Sequence, residues 1–281
     1  MLVVGPNGVG KTNLLEAIHV ATQGFSPRTR TDSQVIRFGA EGARAAVSGR
    51  RGEVRMELEV TVRRGEGKRA RLNGASLRAA EQLRSMVSTL VFTPDRLGVV
   101  KGPPAARRAY FDRVLGRLAP ARAALPTEYG AAVAQRNAAL RRAAGGHSGR
   151  EAIEPWSERV AALERDLERG ATSLGPHLDD VVLAAGGRDL RSFGSQGEQR
   201  LALLALLLAE AETIDDRTGV PPLLLLDDVL SELDPERRRI LAARVRSAGQ
   251  ALVTATDPSL LPAVPDQLLE VTPGTVLEAA A

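Results

Sequence analysis

The chain is 281 residues long, with 43% hydrophobic and 26% charged residues, enough apolar content for one large domain or two closely associated ones. No apolar run approaches a membrane span, no signal-peptide pattern is visible, and the absence of cysteine excludes disulfides and thiolate metal sites. A net charge of +4 does not by itself establish nucleic-acid binding, and the expected location is a reducing cytoplasm.

The first predicted element is a buried strand, Leu2-Val3-Val4. It feeds Gly5-Pro6-Asn7-Gly8-Val9-Gly10-Lys11-Thr12, and a helical pattern runs from Asn13 to His19. The eight residues match the phosphate-binding pattern G-x-x-x-x-G-K-[ST] in full, in the strand-to-helix context it needs. Glycines let backbone N–H groups turn inward around a phosphate, and the helix N-terminus adds positive potential. Lys11 is expected to reach the β- and γ-phosphates of ATP, and Thr12 to hold Mg²⁺. Of 38 basic residues only Lys11, Lys68 and Lys101 are lysine, so a lysine at the position the motif demands is informative. The alternative is a glycine-rich turn before a helix.

Glu53 to Val62 alternates as a strand does, with Val54, Met56, Leu58, Val60 and Val62 on one face. The chain then turns through a basic tip into Asn73-Gly74. Arg63, Arg64, Lys68, Arg69 and Arg71 are candidate contacts to a DNA backbone, the other reading being a solvated surface. Residues 105–144 and 151–170 read as helices joined by a Gly145–Gly149 linker, with Arg107, Arg108, Arg136, Arg141 and Arg142 as further candidate DNA contacts. Aromatics are too few to make base stacking the obvious mode. His19 reads as packing. His177 reads either as a structural histidine or as a group near a nucleotide, and three scattered histidines do not suggest a metal site.

Ser195 can cap an apolar helix over Leu201 to Glu210, with Glu198 as its capping-box partner. Beyond capping, Ser195-Gln196-Gly197-Glu198-Gln199 resembles the ABC-type ATPase signature. In that superfamily the signature of one subunit closes over the nucleotide held by the other. Pro221-Pro222 then precede Leu223 to Leu226, a buried parallel strand ending in Asp227-Asp228. Carboxylates at that end face the crevice where open α/β sheets bind ligands. Asp227 is the Mg²⁺ candidate and Asp228 the candidate for polarising the attacking water, the alternative being a pair that caps the next helix. Ser231 to Asp234 follows as the superfamily's D-loop would. Ala251 to Ala255 is a further strand, and Thr256 stands where many relatives place a switch histidine.

Several stretches together resemble one family, bacterial RecF. They include Gly10 to Ile18, Arg28-Thr29-Arg30, Gln34 to Gly39, Phe92 to Asp95, Val100 to Pro104, Arg107 to Asp112 and Gln135-Arg136-Asn137. Gly175 to Asp180, Ser192 to Arg200 and Leu224 to Pro235 complete the set. The Asp-Asp end of the acidic strand is what this family has where other ABC-type heads have Asp-Glu. Two departures stand out. The family's antiparallel strands ahead of the phosphate loop are absent, which suggests a truncated start. The stretch between Trp156 and Gly170 is short, which suggests that part of the second lobe is missing.

The expected fold is therefore α/β: a P-loop NTPase, ABC-type head, its mixed sheet flanked by helices, with an inserted helical lobe. The expected segments are 1–104 for the first part of the head, 105–170 for the lobe and 171–281 for the rest. The resemblance implies a slow Mg²⁺-dependent ATPase that forms ATP-dependent homodimers on gapped DNA and works with RecR and RecO in repair and replication restart, with no membrane partner. Two other readings are an ABC-type subunit powering a membrane transporter and a nucleotide-dependent clamp that barely hydrolyses.

Overall fold

The computed structural model describes residues 1–29, 31–144, 178–231 and 233–279. In chain order its main elements are β1 (Leu2–Val4), α1 (Lys11–Gln23), β2 (Gly42–Arg51), β3 (Val54–Arg63), β4 (Arg69–Leu72), β5 (Ala75–Ser76) and β6 (Thr89–Phe92). Then come α2 (Gly98–Lys101), α3 (Pro104–Leu118), α4 (Leu125–Ala144), β7 (Ala184–Ala185), β8 (Arg188–Asp189), α5 (Leu190–Phe193) and α6 (Gln196–Thr218). The chain ends with β9 (Leu223–Leu226), α7 (Pro235–Ser247), β10 (Ala251–Ala255), β11 (Leu268–Thr272) and β12 (Thr275–Ala279).

Two compact units emerge: Met1–Arg96 with Arg200–Ala281, and Leu97–Gln199. The breaks fall at Arg96 and Gln199 rather than at the 104 and 170 expected from sequence. The reason at the first break is that α2 packs on α3 and on α5, all within the second unit.

The first unit holds a six-stranded sheet in the order β12-β11-β1-β10-β9-β6. All neighbours are parallel except β11 and β12. This is the mixed sheet expected of an ABC-type head. Strands buried on both faces need continuous apolar runs, and Leu224, Leu225 and Leu226 are fully buried in β9. A four-stranded antiparallel sheet, β2-β3-β4-β5, lies in the same unit. Helix α1 serves both sheets. Leu15 packs with Val91, Leu225 and Leu252 of the parallel sheet. One and a half turns further on, Val20 joins Met56, Leu58, Val60, Val62 and Ala70 of the antiparallel one. The alternation read in residues 53–62 is thus real, with Met56, Leu58, Val60 and Val62 turned inward and Val54 exposed at the strand's start, whereas β2 carries little apolar pattern and is not legible in the sequence.

In the second unit the helical stretch 105–144 is broken, not continuous. Pro120 opens a short 3₁₀ turn between α3 and α4. The linker at 145–149, the 151–170 helix and His177 lie outside the described residues. Arg107, read from sequence as a surface cation, is buried. It grips Asp180 with two bonds of 2.7 and 2.6 Å and donates to the carbonyls of Val100 and Gly102. The Arg107 hydrogen bonds hold the Asp180 carboxyl below its ordinary range. Arg136 is also buried. Neither can track a DNA backbone in this conformation, while Arg141 and Arg142 remain exposed.

Candidate nucleotide site

The loop between β1 and α1 is shaped by glycine. Gly5 has a φ of 154°, and a Cβ there would stand 2.6 Å from the carbonyl oxygen of Val271. Gly10 caps α1 at φ 117°, a left-handed geometry with no side-chain cap. The helix therefore begins with bare N–H groups directed at the loop's concavity, the arrangement that attracts phosphate oxygens. Lys11 is buried and its ammonium donates to the carbonyl oxygens of Gly5 at 2.6 Å and Pro6 at 3.0 Å.

The parallel register carries the acidic strand to the same end of the sheet. Val4 pairs with Ala255, and Val253 with Leu226, so β1, β10 and β9 finish side by side. Asp227 follows β9 directly, with its N–H on the Phe92 carbonyl at 3.0 Å. The Thr12 hydroxyl donates to Asp227 Oδ1 at 3.1 Å, closing 215 residues of chain separation. A hydroxyl and a carboxylate oxygen are hard donors suited to Mg²⁺, which takes one or two protein ligands and fills its remaining positions with water and phosphate. Among the described residues no cluster of three or more His, Cys, Asp or Glu forms another metal site. The residues present thus fit a nucleotide phosphate with its magnesium.

Asp228 is the second unusual backbone at this point. Its φ is 47°, left-handed for a non-glycine residue, and its Oδ1 is buried without a hydrogen-bond partner. A buried carboxylate oxygen with no partner in the protein has its hydrogen-bonding capacity unused. Ser231, three residues on, donates its hydroxyl to the Asp228 carbonyl at 3.1 Å, and Asp234 caps α7 by accepting from the Arg237 N–H. Thr256 is exposed, just beyond the end of β10.

In the second unit, Ser195 caps α6. Its N–H and hydroxyl both reach Glu198 Oε2 at 2.8 Å, and the Glu198 N–H returns to Ser195 Oγ at 3.3 Å. A capping box of this kind contributes about 1 kcal/mol to the helix. Ser195, Gln196 and Glu198 are exposed and Gly197 half-buried, leaving the helix start open to a partner. Gln199 faces the other way. It is buried and donates to the Leu190 carbonyl at 2.7 Å, bracing the turn from α5 into α6. Of the five residues Ser195–Gln199, four reach the surface. Phe193, two residues upstream, is 74% exposed, which an isolated surface does not favour.

The basic tip between β3 and β4 is partly self-neutralised. Glu66 lies 4.0 Å from Arg63 and 3.1 Å from Arg69, Asp32 lies 3.4 Å from Lys68, and Glu59 lies 3.8 Å from Arg71 and 2.6 Å from Arg44. The Arg44 hydrogen bonds hold the Glu59 carboxyl below its ordinary range, with Arg71 adding to the effect. Arg64 donates to the Ala40 carbonyl. Exposed pairs of this kind contribute little to stability and rearrange readily, so they do not block phosphate contact. Glu66 lies within the tip itself, whereas Glu59 comes from β3 and Asp32 from a distant turn, so their pairing with the tip is not legible along the chain.

Residues 1–276 match the family described as the RecF/RecN/SMC N terminal domain. A protein of Symbiobacterium thermophilum named DNA replication and repair protein RecF is 35% identical, over 91% of this chain and 85% of its own. One of the same name from Myxococcus xanthus is 36% identical, over 92% and 85%. Among solved structures, the recombination mediator protein RecF with ATP, of the RecFOR pathway, superposes with a TM-score of 0.79 at 24% identity, covering 99% of this chain and 91% of that one. The Smc head domain of Pyrococcus furiosus, bound to the C-terminal domain of ScpA, has a TM-score of 0.57 at 16% identity, covering 99% and 89%. The last two likenesses concern the fold.

Proposed function

The chain belongs to the RecF family, and on that premise we propose that it is an ATP-dependent DNA-binding clamp of recombinational repair and replication restart. The observation that carries the proposal is the phosphate loop Gly5–Thr12 joined by the Thr12 hydroxyl to Asp227. ATP is held through the loop N–H groups and Lys11. Thr12 and Asp227 would hold Mg²⁺, which would supply charge neutralisation at the phosphates when bound. Asp228 orients the attacking water and accepts its proton. Two heads close as each presents Ser195, Gln196, Gly197 and Glu198 to the nucleotide of the other, and hydrolysis, slow in such clamps, opens them. The closed dimer sits on gapped DNA and, by family resemblance, works with RecR and RecO to load recombinase.

Two measurements test this reading. Ser195→Arg puts a bulky cation at the open helix start. ATP affinity of the single chain is expected to stay within about threefold, while ATP-induced dimers disappear in light scattering, because that helix start serves only the opposite subunit. Dimers of parental strength would reject the closure. For DNA, replacing Arg63, Arg64, Lys68, Arg69 and Arg71 by Gln is expected to weaken binding alike for all sequences. It should flatten the slope of log affinity against log salt by roughly 0.9 for each duplex phosphate that is no longer neutralised. An unchanged slope would clear the tip and point to Arg141 and Arg142. DNA binding that ignores ATP at every salt concentration would remove the clamp reading itself.

A further inference from the structure

One side chain ties the two acidic residues together, and it comes from β10, outside the phosphate loop, the Ser195–Gln199 segment and the acidic pair. Thr254 lies on β10, between β1 and β9, and is fully buried. Its hydroxyl is 2.8 Å from Asp227 Oδ1 and 2.8 Å from the backbone nitrogen of Asp228. Chemistry fixes the direction of both bonds. An amide N–H can only donate, so the Thr254 oxygen accepts from Asp228. The hydroxyl has a single hydrogen, which goes to the Asp227 carboxylate.

Two consequences follow. Asp227 Oδ1 receives hydroxyl hydrogens from both sides, Thr12 on α1 and Thr254 on β10, which sets the carboxylate's rotation and leaves Oδ2 outside both bonds. The Asp228 backbone, at a φ that non-glycine residues adopt sparingly, is pinned by its N–H. That pin keeps the Asp228 carboxylate where its Oδ1 is buried and unpaired. Without the Thr254 oxygen the N–H would lack this partner, and the strained residue would be free to relax into a commoner conformation.

We propose that Thr254 is a positioning residue for ATP hydrolysis: one hydroxyl couples the carboxylate that holds magnesium to the orientation of the carboxylate that polarises water. It acts through Asp227 and Asp228 and touches no phosphate. The inference rests on the nucleotide reading above and extends it to a residue outside the loop, signature and acidic pair.

The test compares Thr254→Val, which keeps the shape and removes the hydroxyl, with Thr254→Ser, which keeps the hydroxyl and removes the methyl. A fluorescent ATP analogue reads affinity in excess EDTA and then across a magnesium titration, turnover is measured separately, and thermal melting without nucleotide checks folding. For Thr254→Val the magnesium midpoint is expected to rise roughly tenfold and turnover to fall roughly tenfold or more, the usual scale for losing a hydrogen bond to a charged group or a metal ligand's outer partner. Affinity in EDTA should stay within about twofold, since the phosphate loop is untouched. Thr254→Ser should recover both quantities to within about threefold. If Thr254→Val melts too low to assay, Thr254→Ala against Thr254→Ser makes the same comparison. Parental magnesium midpoint and turnover in the valine or alanine variant would overturn the inference, as would a serine variant as impaired as the valine one. A parent chain that binds no ATP even with magnesium would overturn the functional reading itself, whereas a parent that binds and hydrolyses, matched by every variant, would overturn only the role of Thr254.

Discussion

Lys11→Met should reduce ATP affinity by roughly 100-fold or more and abolish every ATP-dependent change in dimerisation and DNA binding. The size follows from what is removed. A charge-assisted hydrogen bond to phosphate is about twice as strong as a neutral one, and the buried setting of Lys11 lowers the screening by water. Lys11→Arg is the sharper form of the test. This chain uses arginine for nearly all its cations, so charge alone could have been supplied that way. The lysine ammonium is a compact point donor that reaches the Gly5 and Pro6 carbonyls from the first residue of α1. A planar guanidinium does not fit that cradle, and the Arg variant is expected to lose most of the affinity too. Parental ATP affinity and hydrolysis in Lys11→Met would sink the assignment of the loop. Melting curves of both variants separate this outcome from a folding defect, because the two carbonyls also lose their donor.

How much of this site can be read from the chain alone depends on how far apart the partners lie. Gly5 to Thr12 is contiguous, and its strand and helix flank it directly, so spacing and periodicity suffice. Leu223 to Asp228 is legible for the same reason, as is the Ser195–Glu198 capping box. Thr254 is not. A β-branched residue in an apolar strand is unremarkable, and only the parallel register places its hydroxyl against a carboxylate 27 residues earlier. Arg107 misleads in the opposite direction. A cation on a helix of low hydrophobicity reads as surface, yet Arg107 is buried, and Asp180, 73 residues away and itself exposed, closes over its guanidinium with two hydrogen bonds. The basic tip lies between these cases. Its strand and turn are visible in the alternation and Glu66 lies in the tip itself, but Glu59 comes to face Arg71 only through antiparallel pairing, which no linear count reveals.

Asp228→Asn should separate binding from turnover more cleanly than any other substitution in the acidic pair. Asparagine is nearly isosteric with aspartate and is among the few residues that tolerate a left-handed backbone, so the φ of 47° and the N–H bond to Thr254 are retained. What disappears is the negative charge and the ability to accept a proton from water. Turnover is therefore expected to fall roughly 10²-fold or more, within the range for removing a general base. ATP affinity should stay within about threefold, because the loop, Lys11, Thr12 and Asp227 are unchanged. Asp227→Asn should behave differently: the carboxylate facing Thr12 is lost, so magnesium-dependent binding weakens before turnover is even measured. Closure adds a second readout. If hydrolysis opens the clamp, a chain that binds ATP without hydrolysing it should accumulate as the dimer, and DNA complexes formed with ATP should outlast those of the parent. Parental turnover in Asp228→Asn would assign the water to another group. Slow turnover without longer-lived dimers would instead leave Asp228 as the base but uncouple hydrolysis from opening.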